Sequence, residues 1–437
     1  MKDFLIVFEL KSRELENASL LAAELEFRGY SVAIHCVTSL KRFFTKAHVV
    51  IAPHLYDDFQ VVAIAKNIWR SHKKIIDLQY EQVLCENGHD GCHNPSGEAV
   101  HAQHIAWGQA QYDTYINHGI SPSRVHKVGH LGMDFYRSEF DSYYKTKEDL
   151  SINYGLDLSK EWVLFISSFS YCNRTEKELE TFEKLFAGTR IFADYSNASQ
   201  KVLIEWLREM ALKHKDKCFI YRPHPAEKSS PIFEKLESEI PNFKCIGDWS
   251  VRQWVRVCDK LYTWYSTSIV DAYFAGRNCQ ILRPLDMPKG FEVDIMVNAK
   301  MISTMSAFDL SLDSDDNEFP IKDSIIRHYY GDVSNRPFFM IMADLCEKIY
   351  KDDSCAYDYN YGSRFNILNS SSFSVAVNNY ILRLLSDICS KYHVSKFLNL
   401  FHIKSNLIER LENTNGGTNH EITYYKKRFS KIVALFH

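Results

Sequence analysis

Short apolar runs, each followed by an amphipathic stretch, recur through the first two thirds of the chain, and this alternation restricts the fold more than any other feature. Residues 4–8 (Phe-Leu-Ile-Val-Phe), 32–37, 49–52, 74–78 and 104–107 read as strands. Between the first two, residues 14–28 carry Leu15, Leu20, Leu21, Ala22 and Leu25 at helical spacing, and residues 59–71 repeat the helical pattern. Strand, helix, strand in succession makes βαβ units, and these build a parallel, doubly wound sheet. The alternation stops in the charged, tyrosine-rich stretch 136–160, which reads as a connection, and then restarts. Strands are expected at 162–167, 218–221, 243–246, 260–263 and 279–282, with helices at 199–213, 231–239, 251–257 and 268–274. The expected organisation is an N-terminal Rossmann-like domain over 1–135, a second over 161–285 and a mainly helical extension over 286–437. Two such sheets in tandem imply a cleft between them.

At 437 residues and 46% hydrophobic content the chain can bury full cores, and a formal charge of −3 provides no global basic field for nucleic acid. The apolar run at 4–8 is too short for a signal sequence, and no stretch approaches the roughly 20 apolar residues that span a bilayer. With eleven scattered cysteines, this predicts a cytoplasmic protein with reduced thiols. The segment 415–437, with Tyr424-Tyr425-Lys426-Lys427-Arg428-Phe429, reads as a solvated peripheral helix; contact with the inner face of the cytoplasmic membrane is its sharper reading.

No GxGxxG fingerprint follows the first strand and no GxxxxGK[ST] occurs, so dehydrogenase and P-loop chemistry are not indicated. In open α/β sheets ligands sit at the carboxyl ends of strands, and Arg222-Pro223-His224-Pro225 lies at one. The flanking prolines stiffen the backbone around His224 and remove competing amide donors. Trp264-Tyr265-Ser266-Thr267-Ser268 follows another strand and opens a helix, where hydroxyls and unpaired amides suit a phosphate; ordinary N-capping explains the same residues. Cys85, His89, Cys92 and His93 could ligate zinc, but their spacing matches no common finger, and no carboxylate pair at a strand end of the second domain suggests Mg²⁺. Neither a metal nor a cofactor is expected.

RPHP followed by a Ser/Thr-rich turn, together with Phe8-Glu9-Leu10-Lys11-Ser12-Arg13-Glu14-Leu15, Gln79-Tyr80-Glu81-Gln82, 104–112 (HIAWGQAQY) and Phe165-Ile166-Ser167-Ser168-Phe169, resembles bacterial surface carbohydrate biosynthesis proteins of the GT-B type with retaining β-Kdo transferase domains. The resemblance implies a glycosyltransferase of capsule, O-antigen or lipopolysaccharide synthesis that moves Kdo from CMP-Kdo to a glycan or lipid-linked glycan acceptor, with peripheral contact to the inner membrane or to other assembly enzymes as an expected partnership. It implies that His224, as an imidazolium, and Ser266, Thr267 and Ser268 hold the donor phosphate, with Arg222 and Glu227 as supports. Asp194, in a loop before the helix that leads into the RPHP strand, is the expected nucleophile, Glu81 the expected base, and Glu9 and Arg13 are expected to line the acceptor cleft. Two other classes stay open: a CDP-glycerol-type alditol phosphotransferase, which needs no carboxylate nucleophile, and a non-catalytic sugar-nucleotide-binding protein.

Overall fold

The computed structural model describes residues 1–69, 72–89, 93–314, 318–332, 336–362, 373–374, 376–378, 380–381 and 419–437. The chain divides into two compact units: residues 1–82, 92–134 and 330–437 form the first, and residues 83–91 and 135–329 the second.

The first unit is built on six parallel strands, β1 (Lys2–Phe8), β2 (Val32–Cys36), β3 (Ala47–Ala52), β4 (Lys74–Asp77), β5 (Gln103–Ala106) and β6 (Val125–Lys127), in the order β2-β1-β3-β4-β5-β6. Phe4 to Phe8 are all buried, as a continuous apolar run must be when both faces of a parallel sheet are covered. β1 pairs Leu5 with Ala33 of β2 on one side and with Val50 of β3 on the other. The chain therefore reverses its winding direction between β1 and β3. Strand β6, a three-residue element, gives no run long enough to be read from sequence. The expected helix at 59–71 is instead a short turn at Asp58–Gln60 and a wide π turn at Val61–Ala65.

The second unit repeats the scheme with β7 (Glu161–Ile166), β8 (Lys217–Arg222), β9 (Phe243–Cys245), β10 (Lys260–Thr263), β11 (Gln280–Leu282) and β12 (Met301–Ile302), all parallel, in the order β12-β11-β10-β7-β8-β9. Here the winding reverses between β7 and β10. Its core stacks Phe165, Phe219, Tyr221 and Trp264 against Leu203, Leu207 and Met210 of the helix Thr189–Lys213. The stretch expected as a connection holds the capped helix Lys147–Tyr154, and Lys145 exchanges hydrogen bonds of 2.8 and 2.9 Å with Gln253 of the second unit.

The helical C-terminal region is shared out by packing. Helices Met305–Leu312 and Asp323–Tyr330 begin in the second unit, whereas Phe338–Lys351 and Asn419–Val433 belong to the first. Phe429, Ile432 and Val433 are buried, and Lys426 pairs with Glu26 of the helix Glu16–Phe27 at 2.5 Å, so the apolar face of the basic terminal helix is spent within the protein. Among the described residues no helix is long and apolar enough to cross a membrane. Within the extension the sequence predicts helices at 337–351 and 374–398; the first is the helix Phe338–Lys351, and the second lies mostly outside the described residues.

Candidate functional site

In the second unit three connections leave the carboxyl ends of adjacent strands: Ser167-Ser168 after β7, Pro223-His224-Pro225 after β8, and Trp264 to Ser268 after β10. The gap between β7 and β10 is the switch point at which ligands of open α/β sheets are bound. Glu227 fixes the His224 loop. Its carboxylate accepts from Tyr221 Oη at 2.6 Å, Gln200 Nε2 at 3.0 Å, the His224 amide at 3.1 Å and Ser167 Oγ. Burial raises the Glu227 pKa against these donors, so the group is a structural hub and no free acid. Arg222, buried at the end of β8, donates to the carbonyls of Asp248 at 2.9 Å and of Trp249. Arg174 donates to the carbonyls of Ser170 at 2.7 Å and Ala226 at 2.6 Å, closing the loop from the other side.

The geometry fixes the protonation of His224. Its Nδ1 accepts the Ala226 amide at 3.1 Å, so the proton of the ring sits on Nε2. Burial, with Arg222 and Arg174 adding repulsion, lowers its pKa to about 4. The expected imidazolium is therefore corrected to a neutral imidazole with one directed N–H. Sequence alone shows neither the amide on Nδ1 nor the desolvation.

The turn after β10 is partly self-satisfied. Thr263 Oγ1 accepts the Ser266 amide and Ser266 Oγ accepts the Ser268 amide, both at 3.2 Å. The following helix, Ile269–Phe274, has only six residues and carries buried Asp271 in its first turn. Ser266 thus acts as a local cap, and Thr267 is the exposed hydroxyl of the set.

Asp194 does not lie in a loop. The helix expected from 199 starts at Thr189, because Gly188 adopts φ 85° and the Glu183 carboxylate caps the amides of Gly188 at 2.8 Å and Arg190 at 2.9 Å. Asp194 falls in the second turn on the exposed face, while Gln200, almost two turns further on, reaches Glu227. The structure brings His224, Glu227, Arg222, Ser167 and Arg174 together; Asp194 makes no hydrogen bond to any of them.

The first unit holds a second constellation at its own switch point. Glu9 follows β1, His54 follows β3, and Gln79-Tyr80-Glu81 follow β4. Glu14 is fully buried and accepts the amides of Glu9 at 2.6 Å and Leu10 at 3.2 Å, while Arg13 bonds Glu14 Oε1 through Nη2 at 2.8 Å and Glu81 Oε1 through Nη1 at 2.9 Å. His54 Nδ1 stands 3.6 Å from Glu9, and His93 Nδ1 3.6 Å from Glu81. Tyr56 links the two, stacked on His54 and edge-on to His93. Gln79, at a left-handed φ of 43°, donates to the His93 carbonyl at 3.2 Å and accepts from Tyr56 Oη at 3.3 Å, a strained backbone of the kind concentrated at functional sites.

The two carboxyls are pushed apart. Burial raises the Glu9 pKa, helped by Glu14 and Glu81 against His54 and Arg13. At Glu81 burial acts upward as well, but Arg13 outweighs it and the pKa falls below the ordinary value. Burial also lowers His93. Sequence reading missed His54, although Pro53-His54 directly follows a strand, and weighed His93 only as a zinc ligand. Of that zinc set Cys92 lies outside the described residues, as does the side chain of His89.

No family model and no curated protein matches the chain. Solved structures do. The wall teichoic acid polymerase TagF is 13% identical, covers 80% of this chain and 89% of its own, and has a TM-score of 0.54. A TagF structure soaked with CDPG is 12% identical over the same shares, also at 0.54. The UDP-GlcNAc 2-epimerase of Methanocaldococcus jannaschii, in complex with UDP-GlcNAc and UDP, is 12% identical over 79% of this chain and all of its own, at 0.46. The fold is GT-B-like. Both constellations accordingly occupy carboxyl edges of Rossmann-like sheets, the positions at which such sheets bind ligands.

Proposed function

We propose that the protein is a glycosyltransferase-type enzyme of bacterial surface-polysaccharide synthesis that uses a cytidine-nucleotide donor, with CMP-Kdo as the first candidate. The observation that carries the reading is the His224 loop: two prolines, Glu227 and Arg174 hold, at the carboxyl edge of a Rossmann-like sheet, an imidazole whose Nδ1 is occupied by a backbone amide and whose one N–H is on Nε2. A directed donor of this kind stabilises charge that develops on the departing phosphate without rearranging during the reaction. Thr267 and Ser268 supply further hydroxyls on the other side of the switch point.

The reading assigns donor binding to the second unit and acceptor activation to the first. Glu9, whose pKa is raised, is the better base for an acceptor hydroxyl; Glu81, bonded to Arg13, is a weak one and serves to position. This moves the role first given to Glu81 onto Glu9.

A second reading is favoured by the position of Asp194. A double displacement at carbon needs a carboxylate nucleophile, whereas attack at phosphorus needs none, and Asp194 is on an exposed helix face without a bond to the His224 loop. A CDP-glycerol-type alditol phosphotransferase is that alternative, and TagF, a polymerase soaked with CDPG, shares the fold. Calorimetric titration with CMP, CDP-glycerol and UDP, followed by a donor screen on a synthetic glycan read by mass spectrometry, tests both. CMP binding with Kdo transfer supports the first, glycerol phosphate transfer the second, and absence of nucleotide binding removes both.

A further inference from the structure

We propose that Trp249 is the platform on which the nucleobase of the donor stacks, an inference that rests on the reading of the second unit as the donor site. Trp249 is in the connection that leaves β9, and β9 lies beside β8 in the sheet. Cys245 pairs with Tyr221 in the register of the two strands, and the Ile246 amide donates to the Tyr221 carbonyl at 2.9 Å. Gly247-Asp248-Trp249 therefore leaves the sheet alongside Arg222-Pro223-His224, and a Cβ on Gly247 would meet Pro223 Cγ at 3.5 Å. Adjacent strands are about 4.8 Å apart, so one nucleotide can reach from one connection to the next.

Trp249 has a left-handed φ of 64°, a conformation that is costly for a bulky side chain and usual for glycine. The surrounding residues hold it there. Buried Arg222 donates through Nη1 to the Asp248 carbonyl at 2.9 Å and through Nη2 to the Trp249 carbonyl. Trp254 Nε1 donates to the same Asp248 carbonyl at 2.9 Å, and Tyr154 Oη to Asp248 Oδ2 at 3.0 Å. The guanidinium that precedes the His224 loop is thus spent on the backbone of the Trp249 turn, which ties the two connections together. Packing offsets little of the strain: Trp162, Trp206, Trp254 and Trp264 of the same unit are buried, whereas Trp249 is 48% exposed, with Lys145 Nζ 6.0 Å from its ring centroid. A strained residue that buried donors hold in place, with its side chain left uncovered, is of the kind found at ligand clamps. The part of a nucleotide that uses a flat π face is the base, and such stacking is tolerant of which base it takes.

The test is calorimetric titration of CMP into the full chain and into its Trp249→Phe, Trp249→Leu and Trp249→Gly variants, with the urea midpoint of each. Trp249→Phe keeps an aromatic face and is expected to bind CMP within about 3-fold of the wild type, whereas Trp249→Leu and Trp249→Gly lose about 5- to 150-fold, the alanine cost of one base–aromatic stack. Glycine adopts a left-handed φ without strain, so the urea midpoint of Trp249→Gly is expected to stay at the wild-type value or above it. CMP affinity kept in Trp249→Leu or Trp249→Gly overturns the proposal, as does an equal loss in Trp249→Phe. A fall in the urea midpoint of all three variants alongside the loss of affinity assigns Trp249 to the fold and overturns it too. The two readings separate on the wild type: CMP binding that survives in Trp249→Leu keeps the donor assignment and removes this one, while a wild-type chain that binds no CMP removes both.

Discussion

At the scale of single residues, the chemistry depends on which protons are present, and that was not legible in the sequence. RPHP identified His224, but only the Ala226 amide on Nδ1 shows that the ring is neutral with its proton on Nε2. Donor binding that depended on an imidazolium would fall as pH rises through about 6.5, the ordinary histidine value. With a pKa of about 4, CMP affinity is expected to stay flat from about pH 7 to 8.5, a range in which the CMP phosphate, whose second pKa is about 6, stays dianionic, measurable by calorimetry. The stability sign is the reverse of a paired histidine: the folded pKa is depressed, so the unfolded chain binds the extra proton, and stability is lost as pH falls from about 6.5 toward 4. His224→Gln should reduce the slope in that window, to which desolvated His35, His72 and His126 also contribute, in urea titrations, and should reduce transfer about 10²-fold or more, the usual loss when a preorganised donor is removed. Glu9 and Glu81 form the complementary case. Glu9→Gln is expected to reduce turnover about 10²- to 10⁴-fold with CMP affinity kept, as removal of a general base does. The acid limb of kcat should lie above the ordinary glutamate range because burial raises Glu9. A larger kinetic loss in Glu81→Gln than in Glu9→Gln would return the base to Glu81.

At the scale of elements, strands were the most legible parts and helix starts the least. Lys260–Thr263 and Pro231–Glu239 follow directly from apolar runs and a proline at the first helical position. The start of the helix at Thr189 was hidden because its cap is the side chain of Glu183, five residues before Gly188, and no local N-cap residue announces it. That one error moved Asp194 from a supposed loop onto a helix face. Glu227 illustrates how elements are joined: it ties β7 through Ser167, β8 through Tyr221 and the Thr189–Lys213 helix through Gln200. Glu227→Ala leaves Gln200 Nε2, the Ser167 hydroxyl and the His224 amide without this acceptor, each worth about 1–3 kcal/mol if unsatisfied, while Tyr221 Oη keeps Ser167 Oγ at 2.9 Å. Denaturant unfolding should show a loss of roughly 3 kcal/mol or more, with partial recovery in Glu227→Gln, which retains one acceptor oxygen. Loss of transfer in Glu227→Ala without loss of stability would assign the group to the chemistry instead.

At the scale of the whole molecule, the sequence shows two tandem α/β sheets but not which one the C-terminal segments complete, because that choice is made by packing between residues hundreds of positions apart. Arg28 at the end of the Glu16–Phe27 helix pairs with Asp344 at 2.7 Å, and Lys426 with Glu26 at 2.5 Å, so helices from both ends of the sequence cover the same side of the first sheet's opening βαβ unit. The apolar share of this packing decides the last prediction. Phe429, Ile432 and Val433 are at most 3% exposed, and burial of each such side chain is worth roughly 1.5–3 kcal/mol, an upper estimate against a fully extended unfolded chain. Deletion of residues 419–437 should therefore destabilise the first unit by several kcal/mol. Hydrogen exchange is the discriminating measurement, since it reports opening segment by segment. Peptides from 16–27 and 338–351 are expected to exchange faster in the truncated chain, and those from 203–211, whose named partners lie in the second unit's core, to keep their protection. CMP affinity should then persist, because the His224 loop is held by bonds within that second unit. Equal acceleration across both sets of peptides would mean that the terminal helix stabilises the chain as a single cooperative body.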